Sequence, residues 1–201
     1  MVIRRQAAEN SEGEESKKVA AVNQREVLLA VTGGIAAYKA AVLASRLIQA
    51  GYGVSTMMTR AAAELLGPAT LAALTGRPVE LSLTGEERPI PHIAAAKRAK
   101  IMVVAPATAN CLAKAAGGIA DDLVTTTLLA FPGPILMAPA MNTVMWNKPA
   151  TQRNVRRLTE DGIHFVGPAS GHLGCGDSGA GRMAEPEEIF AAIEELFLHQ
   201  G

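Results

Sequence analysis

The residues best suited to chemistry gather in short segments that each follow an apolar run. Thr32-Gly33-Gly34-Ile35-Ala36-Ala37 ends the first run and opens a helical stretch. With no side chains at Gly33 and Gly34, backbone amides and a helix start can approach an anion closely. After the second run come Thr59 and Arg60, a hydroxyl and a cation. After the third come Pro106-Ala107-Thr108-Ala109-Asn110, with hydroxyl and amide donors opening another helix. Each segment alone also reads as local structure, with glycines closing a turn and Thr59 and Thr108 capping helices. Together the three point to a site for one phosphate and a polar ring. The first lacks the G-x-G-x-x-G spacing of a dinucleotide loop, and no G-x-x-x-x-G-K-[ST] loop is present to grip a triphosphate. A mononucleotide such as FMN therefore suits the set better than a dinucleotide or ATP.

Further segments carry orienting and reactive groups. Residues 138–146 place the only Trp and two of the eight Met beside Asn142. Asn142 has two readings, a cap on the following turn or an amide that fixes a substrate carboxylate, and residue types do not separate them. Six glycines among the seventeen residues 167–183 argue against helix or strand and for a functional flap. Within it Cys175 lies between two glycines and is expected to be accessible, whereas Cys111, in an apolar helix, reads as a buried structural thiol. His92 follows two prolines in an expected loop. A lone histidine is commonly a surface or capping residue, yet its tunable pKa makes this one the natural proton carrier. His164 and His199 read as structural, and His172 as a neighbour of Cys175.

The elements that must position these groups follow from apolar periodicity. VLLAV from Val27, YGVSTMMT, AKIMVVAP, GPILMAP and IHFVGP read as strands; between them lie helical stretches closed by Gly or opened by Pro, and an acid-started amphipathic helix covers EPEEIFAAIEELFLHQG. Strands alternating with helices imply a parallel sheet covered on both faces, an α/β doubly wound sheet in a single domain. In such a sheet ligands bind beyond the carboxyl ends of the strands, where the segments above fall. Residues 1 to about 24 are polar and charge-mixed, without an apolar period, and are expected to form a flexible tail before a domain at 25–201.

Composition narrows the function further. The 201 residues are 49% apolar and carry 19 Lys plus Arg against 19 Asp plus Glu, so no basic field attracts nucleic acid. No apolar stretch reaches the roughly 20 residues that span a bilayer, and no secretory h-region is seen, so a cytoplasmic protein is expected. Two cysteines and four scattered histidines give neither a disulfide framework nor a metal-ligand spacing.

The segments TGGIAAYK, PHI, APATAN, PAMNTVMW and CGDSGAGRM together resemble the homo-oligomeric flavin-containing cysteine decarboxylases, from about Val27 to Pro186. TGG alone is weak; PAMN-x-x-MW between PHI and C-G-D-x-G-x-G-R-M is highly specific. The resemblance implies a flavodoxin-like fold, a homo-trimer or dodecamer, and FMN held near subunit interfaces by Gly34, Ile35, Ala36, Thr59, Thr108, Ala109 and Asn110. It further implies catalytic roles for His92, for Asn142 on the substrate carboxylate, and for Cys175 as proton donor. The substrate would be a small molecule with a terminal cysteine carboxylate: its thiol is oxidised at the flavin to a thioaldehyde, carbon dioxide leaves, and reduction returns a saturated thiol. The C-G-D match favours phosphopantothenoylcysteine decarboxylation in coenzyme A biosynthesis. The alternatives are a peptidyl-cysteine decarboxylase, which stops at the enethiol, a non-catalytic flavin-binding subunit, and, more remotely, a prenyl-transferring flavoprotein. Many bacterial members continue into a ligase domain, so the chain is expected to be a monofunctional enzyme or an excised domain.

Overall fold

Strand β1 (Glu26–Val31) is buried along its whole length and divides its side chains between two apolar layers. Val27, Leu29 and Val31 enter one cluster, and Leu28 and Ala30 the other. β2 (Gly53–Met58) pairs with β1 in parallel, Val27 opposite Val54, and β3 (Val79–Glu80) adds two residues at that edge. On the other side of β1 lies β4 (Ile101–Ala107), also wholly buried, followed by β5 (Ile135–Pro139) and the two-residue β6 (His164–Phe165). Central strands buried on both faces read as unbroken apolar runs, which is why they are plain in the sequence. The computed structural model describes residues 25–84, 91–172, 176 and 178–199, with 91, 92 and 172 described by backbone alone. The expected tail at 1–24 and Cys175 lie outside the described residues.

The sheet order is β3-β2-β1-β4-β5-β6, with every neighbouring pair parallel. Setting aside the short edge strand β3, the order of the remaining five is the 2-1-3-4-5 of flavodoxin-like folds. The expected doubly wound, flavodoxin-like α/β domain is thus observed, and the order reverses between β1 and β4.

Helices cover both faces. α1 (Ala37–Gln49), α2 (Arg60–Leu65) and α3 (Pro68–Thr75) add Leu43, Leu47, Ala62 and Leu71 to the first cluster. α4 (Pro91–Arg98), α5 (Ala109–Gly117) and α6 (Leu123–Ala130) cover the second face with Ala96, Leu112 and Val124. α7 (Thr143–Asn147) is a single short turn of helix, and α8 (Pro149–Glu160) follows it with Leu158 in the second cluster.

Residues 167–183, expected as a flap without strands, contain an antiparallel ribbon instead, β7 (Ala169–His172) with β8 (Ser178–Arg182). The glycines serve close approach. A Cβ on Gly181, whose φ is +133°, would run into the Met141 carbonyl oxygen, and one on Gly179 into Thr143. The backbones meet directly, Met141 N donating to Gly181 O at 2.9 Å. His92, expected in a loop, is the second residue of α4, because Pro91 opens that helix at its first position, where a missing N–H is harmless. α9 (Pro186–Leu198) then closes the first layer with Ile189 and Ile193.

At the amino end of β1, Glu26 is 2% exposed and takes both arms of Arg77, at 2.7 and 2.8 Å, while Arg77 also donates to Ser55 at 3.1 Å. The hydrogen bonds it donates to Glu26 hold the Arg77 pKa above its usual value. No described helix is long and apolar enough to cross a membrane.

Candidate active site

The carboxyl ends of β1, β2, β4 and β5 open on one cavity of about 890 Å³, a size suited to a mononucleotide with a small substrate. Its lining includes every residue expected to hold the cofactor, Gly34, Ile35, Ala36, Thr59, Thr108, Ala109 and Asn110, together with Asn142. The cavity therefore forms where the strand order reverses, the position chain topology favours for a ligand.

Thr32 joins the first and third loops. Its hydroxyl, buried at the end of β1, donates to Pro106 O at 2.6 Å, accepts from Thr108 N at 3.2 Å, and lies 3.3 Å from Thr108 Oγ1. Gly33 owes its lack of a side chain to packing, since a Cβ there would press on Ala61 at the start of α2. Gly34 folds back on Thr32 through a 2.8 Å backbone bond, which turns the chain into α1.

Helix starts around the cavity differ in one respect. Thr59 caps α2 by accepting from Ala62 N at 3.2 Å, Thr108 caps α5 by accepting from Cys111 N at 3.3 Å, and Asp122 caps α6 in a reciprocal box with Thr125. The two readings of Thr59 and Thr108 are compatible, because both cap a helix and both line the cavity. α1 has Ala36 at its cap position and no side-chain cap. Among the described residues no acceptor meets the Ile35 and Ala36 amides. An uncapped 13-residue helix whose first amides line a cavity is a ready anion site.

Asn142 also serves locally, its Oδ1 accepting from Val144 N at 2.7 Å to cap α7. That fixes the orientation of its amide, so donation to a carboxylate would come from Nδ2. Cys111 lines the cavity but is 3% exposed, and burial pushes its thiol up to about 12. It is the inert thiol its helix implied. The side chain of His92 and the whole of Cys175 lie outside the described residues.

Five charged residues of the cavity were given no role by sequence reasoning, and three of them form one cluster. Lys39 is nearly buried, and its Nζ donates to Met183 O at 3.2 Å and to Glu185 Oε1 at 3.0 Å. Arg182 Nη2 lies 3.3 Å from the same Glu185 oxygen. A lysine inside an otherwise apolar helix face was the available signal for this group. Elsewhere in the lining Lys114 pairs with Asp121 at 2.7 Å and Asp122 at 3.3 Å, which raises the Lys114 pKa and lowers that of Asp121. Among the described residues no three His, Cys, Asp or Glu side chains converge on a metal-sized space.

Residues 14–198 match the family model described as Flavoprotein. The chain belongs to the Flavoprotein family. This flavoprotein is 47% identical over 181 residues to the coenzyme A biosynthesis bifunctional protein CoaBC of Bacillus subtilis (strain 168), covering 89% of the chain and 45% of the relative. It is 46% identical over 176 residues to the CoaBC protein of Mycobacterium tuberculosis (strain ATCC 25618 / H37Rv), covering 88% and 42%. The chain thus spans about half the length of these curated relatives. Among solved structures, a PPC decarboxylase mutant complexed with pantothenoylaminoethenethiol superposes with a TM-score of 0.77 at 34% identity, over 87% of this flavoprotein and 98% of that chain. The FMN binding protein AtHal3 superposes at 0.75 with 34% identity, over 89% and 99%.

Proposed function

We propose that this flavoprotein binds FMN in the strand-end cavity and decarboxylates 4'-phosphopantothenoylcysteine to 4'-phosphopantetheine, a step of coenzyme A biosynthesis. The observation that carries the proposal is the meeting of the seven loop residues with Asn142 in one cavity beside an uncapped helix start. The likeness to CoaBC proteins and to a PPC decarboxylase supports the choice of reaction.

The residues present fit FMN. The Ile35 and Ala36 amides suit its phosphate, the Thr59 hydroxyl lines the same space, and the donors of Thr108 and Asn110 suit the polar edge of a ring whose faces need apolar walls. FMN supplies, when bound, the reversible two-electron chemistry that a cysteine carboxylate requires, because no neighbouring carbonyl accepts the electrons released with carbon dioxide. Asn142 orients that carboxylate through Nδ2, held by its cap on Val144. His92 manages the thiol proton at the oxidative stage, and Cys175 gives a proton to the product carbon at the reductive stage. Both of these roles rest on the PHI and CGD motifs.

The same reading carries a homo-trimer or dodecamer and a cytoplasmic setting. Ile35 and Tyr38, 72% and 61% exposed on the cavity rim, and Val42 one turn further along α1, offer an apolar stripe that a second copy would cover. Light scattering of the purified protein reads the assembly. The deciding experiment combines the visible spectrum with product analysis. Flavin absorbance, released FMN, and loss of carbon dioxide to a saturated thiol are expected; a colourless protein that does not rebind FMN, or no turnover by the holoprotein, overturns the proposal.

A further inference from the structure

Charge around the cavity is unevenly placed, and the imbalance gives a role to a residue that the loop motifs contain but leave without one. A phosphomonoester carries about −1.5 to −2 at neutral pH, while a helix amino end offers roughly +0.5. The start of α1 alone therefore leaves about one charge uncompensated. Of the four cations lining the cavity, Lys114 is matched by Asp121 and Asp122. Arg60 has a side chain 97% exposed, 3.9 Å from Glu64, so water screens it. The remaining two, Lys39 and Arg182, share one carboxylate oxygen, Oε1 of Glu185, at 3.0 and 3.3 Å. Two cations on one carboxylate leave a net positive charge at the cavity wall reached by α1, since Lys39 stands one turn beyond Ile35.

Within this trio the parts differ. Lys39 is spent on Met183 O and Glu185, with its side chain 9% exposed. Glu185 is the cap residue of α9, its backbone N–H donating to Glu188 Oε2 at 2.7 Å. Arg182 is 41% exposed at its side chain, lines the cavity, and has a buried Nε with no hydrogen-bond partner in the described structure. A guanidinium has five N–H donors in a fixed fork and matches a phosphate bidentately.

We propose that Arg182 binds the phosphomonoester placed at the start of α1, with Glu185 and Lys39 as positioning residues that set its guanidinium. The chemistry is that of a terminal phosphate dianion. Under the proposed function two molecules bring one, the cofactor and the substrate, and the inference rests on that reading only for the carrier.

The test uses the full chain stripped of flavin and carrying Arg182→Gln, Arg182→Lys, Glu185→Gln or the Arg182→Gln/Glu185→Gln pair. One arm compares FMN with riboflavin by quenching of flavin fluorescence. The other, run on the same variants reloaded with saturating FMN, compares KM for phosphopantothenoylcysteine with KM for its dephosphorylated form. Arg182→Gln is expected to cut the preference for the phosphorylated member about 10- to 100-fold in one of the two pairs, the scale of a charge-assisted hydrogen bond, and that pair names the carrier. Arg182→Lys should recover part of the preference, since it keeps the charge and loses the fork. Glu185→Gln should change the preference when Arg182 is present and not when it is Gln, which a merely structural carboxylate would not do. Unchanged preference in both pairs, or equal weakening of both members of each pair, overturns the proposal. If the unmodified holoprotein turns over neither cysteine compound, the decarboxylase reading fails, while the flavin pair still decides Arg182. A thermal melt of each variant keeps misfolding distinct, and the lysine variant answers if the glutamine variant does not fold.

Discussion

Replacing Thr32 by Val exchanges a hydroxyl for a methyl of nearly the same size and so isolates the tie between the first and third loops. Two partners lose their bonds, the buried Pro106 O at 2.6 Å and the half-buried Thr108 N at 3.2 Å. A buried group left unsatisfied costs about 1–3 kcal/mol, a half-buried hydrogen bond about 0.5–1.5 kcal/mol, and the added methyl returns about 0.8 kcal/mol, so the protein should lose about 1–4 kcal/mol. Thr32→Ser keeps the hydroxyl and should lose only the methyl contribution, about 1 kcal/mol. Urea unfolding of the flavin-free protein measures both, with unchanged slope showing that the unfolded state is not altered. Because Thr108 sits at the other end of the tie, FMN affinity should fall in the valine variant and hold in the serine variant. A valine variant within about 0.5 kcal/mol of the parent, or a serine variant as damaged as the valine one, would refute the claim that this hydroxyl registers the two loops.

Other expectations follow from single contacts. Gly33→Ala should destabilise by about 1–3 kcal/mol, because its new Cβ meets Ala61 on a neighbouring helix with little room to move; a neutral melt contradicts the geometry. Cys111 should resist iodoacetamide at pH 8.5 in the folded protein and react in urea, as read by mass spectrometry, since burial lifts its thiol to about 12. A raised folded pKa means stability that is intact below pH 9.0 and lost as pH rises toward 12. The wild-type protein should therefore lose about 1 kcal/mol more than Cys111→Ala between pH 8 and pH 10, and parallel losses would sink the assignment. Asn142→Asp keeps an acceptor for Val144 N yet sets like charge against a carboxylate substrate. It should melt near the parent temperature while kcat/KM drops at least about 100-fold, and retained kcat/KM would remove Asn142 from carboxylate binding.

What the sequence made legible tracks burial. β1 and β4, sealed on both faces, stand out as apolar runs, and the loops after them carry the cavity's donors in plain order. The two-residue β3 has no run to detect, and α7 is too short for a helical period. Glycine misled at 167–183, where its rule against strands assumes that side chains would otherwise stabilise the ribbon. Here the absence of Cβ atoms at Gly179 and Gly181 lets the ribbon lie on Thr143 and Met141. Lys39, Arg182 and Glu185 were out of reach for another reason. Arg182 and Glu185 are three residues apart, but Lys39 meets Met183 and Glu185 across 144 and 146 residues, and only the fold brings a helix near the start against the link from β8 to α9.

The uncapped start of α1 has a practical corollary for anyone handling the protein. A helix end that no side chain satisfies does not discriminate between a phosphate on a nucleotide and one in the buffer. Inorganic phosphate should therefore act as a competitor during flavin reloading, slowing reconstitution relative to an uncharged buffer of the same pH and ionic strength. The choice of purification buffer then sets how yellow the preparation is, independently of how well the chain has folded.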